Sequence, residues 1–151
     1  MPEKETLERA KQDKREGKAA STQAGEFVRE EIEHVREGKH GARSTKQAIA
    51  IGLSKARRAG VKLAPPEKGK VSEETRERAA RDTKKGQGGG KTKTPATRSR
   101  ASSRALKREG HSAASKTALS RQAHTAAASR SPASRARSAK KAAATRKRQA
   151  S

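Results

Sequence analysis

The chain has 151 residues, enough for one ordinary domain, but only 28% of them are hydrophobic and 1% are aromatic. Because apolar burial supplies most of the free energy that orders a chain, this composition excludes a large core. The formal net charge is +23, from 39 Lys and Arg against 16 Asp and Glu. There is no cysteine, which excludes disulfides and thiolate metal sites.

Charge is segregated along the chain. Residues 1–39 carry 9 basic and 10 acidic residues, whereas residues 86–151 carry 17 basic residues and one acid, Glu109. Residues 38–66 contain no acid. Long blocks of one sign are typical of arms that bind polyanions, so nucleic acid is the expected partner.

The N-terminal residues "MPEKETLERAKQDK" include no apolar run that fits a secretory signal, and nowhere do 18 apolar residues follow one another. We therefore expect no membrane partner and a cytoplasmic, nucleoid-associated protein. Residues 1–20 favour a charged helix that ends at Gly17, because Glu, Lys, Arg and Gln are good helix formers. Only Leu7 and Ala10 suit a core, so we expect this helix to be exposed and to contribute little to packing.

Residues 21–66 hold most of the large apolar side chains and predict the folded core. A helix is expected to begin at Ser21 or Thr22 and to stop at Gly38. Its apolar stripe consists of Phe27, Val28, Ile32 and Val35. This spacing predicts one partner surface for the stripe.

The next helix is expected to begin with Ser44 as N-cap and Gln47 as its capping-box partner, and to end before Gly60. Small residues spaced by four let another helix come close: Ala48, Gly52 and Ala56. The fold class is therefore all-α, with a short helical hairpin at about 22–59. A core this small is marginal alone, so a homodimer is a possible partner arrangement. The residues expected at such an interface are Phe27, Ile32, Val35, Ile49 and Leu53.

Residues 67–86 predict a polar helix capped by Ser72, and the glycine-rich segment after it predicts a flexible linker. From 87 to 151 the chain is mainly Ala, Ser, Lys and Arg, which predicts a long, largely disordered basic tail that becomes helical on binding. One helical piece is expected at 113–128, and Pro132 is expected to break the helical pattern after it.

Two basic clusters flank the second helix of the hairpin, and a third set lies in the tail. Helix N-terminal amides with nearby hydroxyls and cations suit a phosphate. The candidate nucleic-acid-binding residues are Lys39, Arg43, Ser44, Thr45 and Lys46 at the start of the helix; Lys55, Arg57, Arg58 and Lys62 at its end; and Arg104, Lys107, Arg108, Arg121, Arg135, Arg137, Lys140, Lys141, Arg146, Lys147 and Arg148 in the tail. The alternatives are that Ser44 only caps the helix, that cations at its end only complement the helix dipole, and that the tail only solubilises.

The chain has no Tyr or Trp, so the stacking platforms used for single strands are missing. This favours duplex DNA, or structured RNA as the alternative, read through the backbone. The connection at 38–44 is longer than that of a helix-turn-helix. A third possibility is that the hairpin binds a protein partner.

No catalytic residue, cofactor or metal site is predicted. The four histidines, His34, His40, His111 and His124, have no carboxylate partner that the sequence places in a pocket. "GQGGGK" at 86–91 is similar to a phosphate loop in letters only, because no strand precedes it.

The residues "STKQAIAIGLSKARRAG" at 44–60 resemble the core of a family of small basic bacterial proteins of unknown function, in which a KQAIAIALSEA-like segment recurs. Some members are called DNA-binding or plasmid-stabilisation proteins. Here Gly52 stands where Ala is expected, and Lys55 where an acid is common. The resemblance implies a bacterial intracellular protein but carries no activity. The tail is similar in composition to bacterial histone-like tails, so the sequence as a whole predicts non-sequence-specific, histone-like DNA binding.

Overall fold

The computed structural model describes residues 1–88 and 93–151. Its helices are α1 (Lys4–Arg15), α2 (Ala20–Arg36), α3 (Thr45–Arg58), α4 (Glu73–Gly86), α5 (Ala96–Arg108), α6 (Lys116–Ala128) and α7 (Pro132–Gln149), with a 3₁₀ helix at Ser112–Ala114. The described residues contain no β-strand, which confirms the all-α class. Two compact units follow one another, Met1–Ala114 and Ser115–Ser151. The four segments expected from the sequence divide the chain more finely, and their boundaries stay predictions.

The α2–α3 hairpin is the centre of the first unit, as predicted. Its closest approach is at Gly52, where an added Cβ would lie 2.6 Å from the Cα of Val28. Ala48 and Ala56 are completely buried on the same side of α3. The small-residue stripe therefore lets the two backbones pack directly against each other.

The hairpin helices end and begin largely where the sequence indicates. Gly38 and Gly60 adopt φ of 76° and 98°, a left-handed backbone that glycine accepts at a helix end. At the start of α3, the amide of Gln47 donates to Ser44 Oγ at 3.1 Å, while Gln47 Oε1 accepts from the amide of Arg43 at 2.6 Å. Helix α2, in contrast, begins at Ala20 without a side-chain cap, one residue before the earlier of the predicted caps.

A small core surrounds Phe27, which is 1% exposed. It packs with Ala10, Ala24, Ala56 and Val61. Ile32 and Val35 are also buried within this chain. The proposed homodimer interface is therefore not supported, because Phe27, Ile32 and Val35 are already covered; Ile49 and Leu53 are half-buried.

The expectation that the N-terminal helix is exposed and dispensable is wrong for one of its faces. Helix α1 packs on α2 and buries Thr6, Ala10 and Asp13. Asp13 forms an ion pair with Lys18 at 2.8 Å. Because two of the three buried side chains are polar, an apolar pattern does not reveal this face.

Helix α4 is capped by Ser72, as predicted: Ser72 Oγ accepts from the amide of Thr75 at 3.3 Å. It packs on α3, where Asp82 accepts from Ser54 at 2.6 Å and from Arg58 at 2.7 Å, and Ala79 is buried on the same helix. The polar helix is thus fixed by hydrogen bonds and an ion pair instead of by an apolar stripe.

Residues 106–114 return to the hairpin. The amides of Gly41 and Ala42 donate to the carbonyls of Leu106 and Gly110 at 2.9 and 3.0 Å. Arg36 Nε donates to the carbonyl of Ala114 at 2.8 Å, and both Ala113 and Ala114 are buried. A segment assigned to the tail therefore completes the first unit.

The prediction of a largely disordered tail is not supported. Helices α5, α6 and α7 cover most of the described residues after 93, and Ala-rich sequence with Ser115 and Ser131 as N-caps accounts for α6 and α7. Helix α6 agrees with the piece expected at 113–128. Pro132 occupies the first turn of α7, where it needs no amide, instead of interrupting a helix. Residues 89–92 of the expected glycine-rich linker, which include the end of "GQGGGK", lie outside the described residues.

Candidate functional site

Several of the predicted cations around α3 are engaged by the chain itself. At the start of α3, Lys39 pairs with Glu3 and Glu37 at 3.3 and 3.2 Å, and donation to Glu37 and Glu3 raises the pKa of Lys39. Arg43 is 80% exposed and lies 3.9 Å from Glu109, and Lys46 is exposed. Of the predicted cations here, Arg43 and Lys46 are the most open to a ligand.

The two hydroxyls of this cluster have structural partners. Ser44 caps α3 by accepting from the amide of Gln47. Thr45 is 8% exposed, and its Oγ1 donates to the carbonyl of Ala113 at 2.7 Å. The Thr45 hydroxyl is thus used to hold residues 112–114, so the geometry favours the capping interpretation of this helix start over a phosphate site.

Some cations of the cluster at the end of α3 are likewise held by partners within the chain. Arg57 is 7% exposed and donates to the carbonyls of Leu63 and Ala64 at 3.4 and 3.2 Å. Burial lowers the pKa of Arg57. Arg58 pairs with Asp82 at 2.7 Å, whereas Lys62 is exposed.

Lys55 belongs to a buried ionic cluster that the sequence does not reveal. Its ammonium lies 2.6 Å from Glu31 Oε2 and 3.5 Å from Glu30 Oε1. The Glu31 and Glu30 side chains are only 1% and 2% exposed. Because two buried carboxylates need this cation, Lys55 is committed to the fold and is unsuited to a phosphate.

The same cluster contains two histidines for which the sequence indicated no carboxylate partner. His40 Nε2 lies 2.7 Å from Glu31 Oε1, and His34 Nε2 lies 3.0 Å from Glu3 Oε1. The two rings meet edge to face at 6.1 Å between centroids. The i,i+3 spacing of Glu31 and His34 on α2 was a signal that sequence inspection could have used.

The candidate cations in the C-terminal part are all exposed. Arg104, Lys107 and Arg108 are exposed at the end of α5. Those of the second unit are exposed on α6 and α7, namely Arg121, Arg135, Arg137, Lys140, Lys141, Arg146, Lys147 and Arg148. Residues 115–151 contain ten cations and no acid. Within this range, all of which the structure describes, no cation is paired with an acidic side chain.

Helix α7 concentrates this charge. Seven cations lie within the 18 residues of Pro132–Gln149, a length of about 27 Å. At about 100° per residue, five of them share roughly a third of the circumference. These five are Arg137, Lys140, Lys141, Lys147 and Arg148. The opposite side carries Ala and Ser together with Arg135 and Arg146.

Comparisons with known proteins add one relationship. A family model described as "Family of unknown function (DUF6496)" matches residues 11–68, which span the end of α1, all of α2 and all of α3. None of the curated proteins matches the chain. No solved structure matches it either. The match agrees with a resemblance to a family of unknown function and gives the chain no activity.

Among the described residues, no helix is long and apolar enough to cross a membrane.

Proposed function

We propose that the chain binds nucleic acid through phosphate contacts, without sequence specificity, and that duplex DNA is its ligand. The observation that carries the proposal is the cationic unit at 115–151, where ten cations are exposed and no acid is present. A surface with unneutralised charge of one sign attracts a polyanion and gains free energy by releasing its counterions.

The cationic face of α7 supports the same proposal. Its five cations follow one side of a helix whose diameter, about 10–12 Å, is close to the width of the B-DNA major groove. The like charges on this helix repel one another, which destabilises it in the free protein. Phosphates placed between them remove the repulsion, so binding and α7 helicity reinforce each other.

The first unit contributes only a few exposed cations to the proposed binding. Lys55, Arg57 and Arg58 are held by internal partners. Arg43, Lys46 and Lys62 stay exposed and can add phosphate contacts. We therefore assign most of the affinity to the second unit and treat the start and end of α3 as secondary.

Duplex DNA is favoured over single strands because the chain has no Tyr or Trp and its one Phe, Phe27, is buried. A histone-like role in the bacterial cytoplasm, at the nucleoid, is the form of this function that we propose. Structured RNA presents the same phosphates and is the alternative that the binding experiment distinguishes.

The test uses the full chain and fluorescence anisotropy of labelled duplex DNA and of a structured RNA at several salt concentrations. A triple variant, Arg137→Gln with Lys140→Gln and Lys141→Gln, removes three cations from one face of α7. Its control, Lys11→Gln with Lys14→Gln and Arg15→Gln, removes the same charge from the exposed side of α1.

We expect the α7 variant to reduce the slope of log K against log salt by about 2.7, from about 0.9 for each lost phosphate contact. The α1 variant should change the slope by much less. Equal losses in both variants would show that only net charge matters and would overturn the assignment to α7. No binding by the full chain near 0.15 M salt would refute the function, and a strong preference for the structured RNA would favour the alternative.

A further inference from the structure

We propose that Glu31, His34 and His40 form a binding site for a divalent transition-metal ion of the Zn²⁺ type, at the junction between α2 and the connection to α3. Each residue offers one ligand atom, and the three atoms lie within 4.8 Å of one another. All three residues belong to the first unit, and the proposal does not depend on the proposed nucleic-acid binding.

The fold brings the three residues together from two directions. Glu31 and His34 are three residues apart on α2, so they lie on one face of the helix. Gly38, with φ of 76°, ends α2 and turns the chain back. The turn places the His40 ring against Glu31, 2.7 Å from its Oε1.

The orientation of His40 is that of a metal ligand. Its Nδ1 lies 2.9 Å from the carbonyl of Gly41, which can only accept, so Nδ1 carries a proton and donates. In the neutral ring, Nε2 then presents a lone pair to the carboxylate of Glu31. Two acceptors at 2.7 Å need a cation between them, either a proton or a metal ion. Metal-bound histidines commonly donate their second nitrogen to a backbone carbonyl in this way.

Glu31 is equally well oriented. Its side chain is 1% exposed, and Oε2 faces the Lys55 ammonium at 2.6 Å. Oε1 is therefore the oxygen directed at His40. Ligating carboxylates are usually held through their second oxygen, and Lys55 supplies that support here. Lys55 also places a positive charge beside this buried side chain.

The site is accessible from one side. The side chains of His34 and His40 are 14% and 16% exposed, so an ion can enter without opening the core. Glu3 Oε1, 3.0 Å from His34 Nε2, lies beside this opening and can serve as a fourth donor in place of water.

The donor set suits a tetrahedral ion, and small side-chain movements would bring the donor atoms to the required spacing. Bonds of about 2.0–2.1 Å to zinc separate the donor atoms by about 3.3 Å. The Glu31–His40 pair at 2.7 Å must open slightly, and His34 must approach its partners by a side-chain rotation. Two imidazoles and one carboxylate suit Zn²⁺ better than Mg²⁺ or Ca²⁺, which prefer oxygen donors. A bound ion would fasten the connection at 39–44 to α2.

The experiment uses the full chain without a polyhistidine tag, freed of metal with a chelator. Isothermal titration with ZnCl₂ is expected to show one site per chain, and Co²⁺ is expected to give the visible bands of a four-coordinate ion. Zn²⁺ should raise the melting temperature of the chain, and excess Mg²⁺ should not compete.

Two variants and one control locate the site. Loss of a supporting residue around a zinc ligand typically costs about 10- to 100-fold in affinity, so His40→Ala is expected to weaken Zn²⁺ binding by about 100-fold or more. His34→Ala, at the more open edge, should weaken it similarly while leaving the circular dichroism spectrum unchanged. His124→Ala, on the exposed surface of α6, is the matched control and should bind as the parent does.

No saturable Zn²⁺ binding by the full chain would overturn the proposal and leave His40 and Glu31 as a proton-bridged ion pair. Equal affinities for His34→Ala, His124→Ala and the parent chain would overturn it as well, because the ion would then bind elsewhere.

Discussion

Replacement of Gly52 by Ala tests how closely α2 and α3 approach. An added Cβ at this position would lie 2.6 Å from Val28 Cα and 2.9 Å from its amide nitrogen. Both atoms belong to the backbone, so no side-chain rotation can relieve the contact. The helices would have to separate, because the shorter distance falls about 0.8 Å below the 3.4 Å at which ordinary contact begins.

Two effects of opposite sign determine how much Gly52→Ala changes the free energy of unfolding. Ala is favoured over Gly inside a helix by about 1 kcal/mol. Overpacking of a well-packed interface costs about 1–3 kcal/mol. Gly25→Ala on α2 separates the two effects, since a Cβ there would meet nothing within 4 Å. We expect Gly25→Ala to stabilise the chain by about 1 kcal/mol and Gly52→Ala to be about 2 kcal/mol less stable than Gly25→Ala.

The assay is thermal unfolding followed by circular dichroism at 222 nm, where helices give a strong negative band. At about 4 °C per kcal/mol, the two variants should differ in melting temperature by about 8 °C. Urea unfolding provides the same comparison without heat. If Gly52→Ala were as stable as Gly25→Ala, the helices would not be in backbone contact, and the hairpin geometry of α2 and α3 would be refuted.

Three further predictions concern buried polar groups. Lys55→Met leaves two buried carboxylates without their cation and should lower the free energy of unfolding, measured in urea, by about 2 kcal/mol or more. Lys62→Met on the surface should change it by less than about 0.5 kcal/mol. Equal costs would contradict the buried cluster. Burial favours the neutral acid of Glu30, but donation from the Thr6 hydroxyl and the Glu3 amide, with the Lys55 charge, lowers the pKa of Glu30 below 4.5. Its contribution is therefore complete above about pH 4.5 and is lost as the pH falls through the lowered pKa, so Glu30→Gln should flatten the acid limb of a stability–pH curve; an unchanged limb would rule this out. Arg57→Met removes two hydrogen bonds to the 61–64 segment and should lower the free energy of unfolding by about 1–2 kcal/mol. The local readout is faster amide hydrogen exchange of Val61. Unaltered exchange would show that the guanidinium does not hold the segment.

Apolar spacing and capping residues made the hairpin predictable. The stripe on α2, the small residues on α3 and the Ser44 cap are local patterns, and each has a known geometric consequence. Glycine stops at residues 17, 38 and 60 follow from the same kind of reasoning. The hairpin of α2 and α3 could therefore be read from the sequence.

The remaining contacts are polar or made by the backbone, and these leave no periodic signal. Thr6 and Asp13 are buried where α1 packs on α2, and Asp82 is buried where α4 packs on α3. All three residues are of types usually found on the surface. The segment at 106–114 binds the hairpin largely through carbonyls, which every residue possesses. The identity of side chains therefore could not show where that segment belongs.

The same limit applies to the candidate sites. Counting charges singled out the cation-rich region, but it could not separate Lys55 and Arg57, which are held inside the first unit, from Lys62, which is exposed. A charge is informative about a ligand only when its internal partners are known. For His40, the partner is nine residues earlier on α2, and only the turn at Gly38 brings the two together.

The docking of residues 112–114 also sets an order of events during synthesis. The bonds from Thr45 to Ala113 and from Arg36 to Ala114 span 68 and 78 residues. Helices α1, α2 and α3 contact their neighbours in sequence, so they can assemble as soon as they leave the ribosome. The edge of the hairpin at residues 36–45 stays open until residue 114 has left the ribosome. The polycationic residues 115–151 emerge only afterwards, when the preceding unit is ready to close.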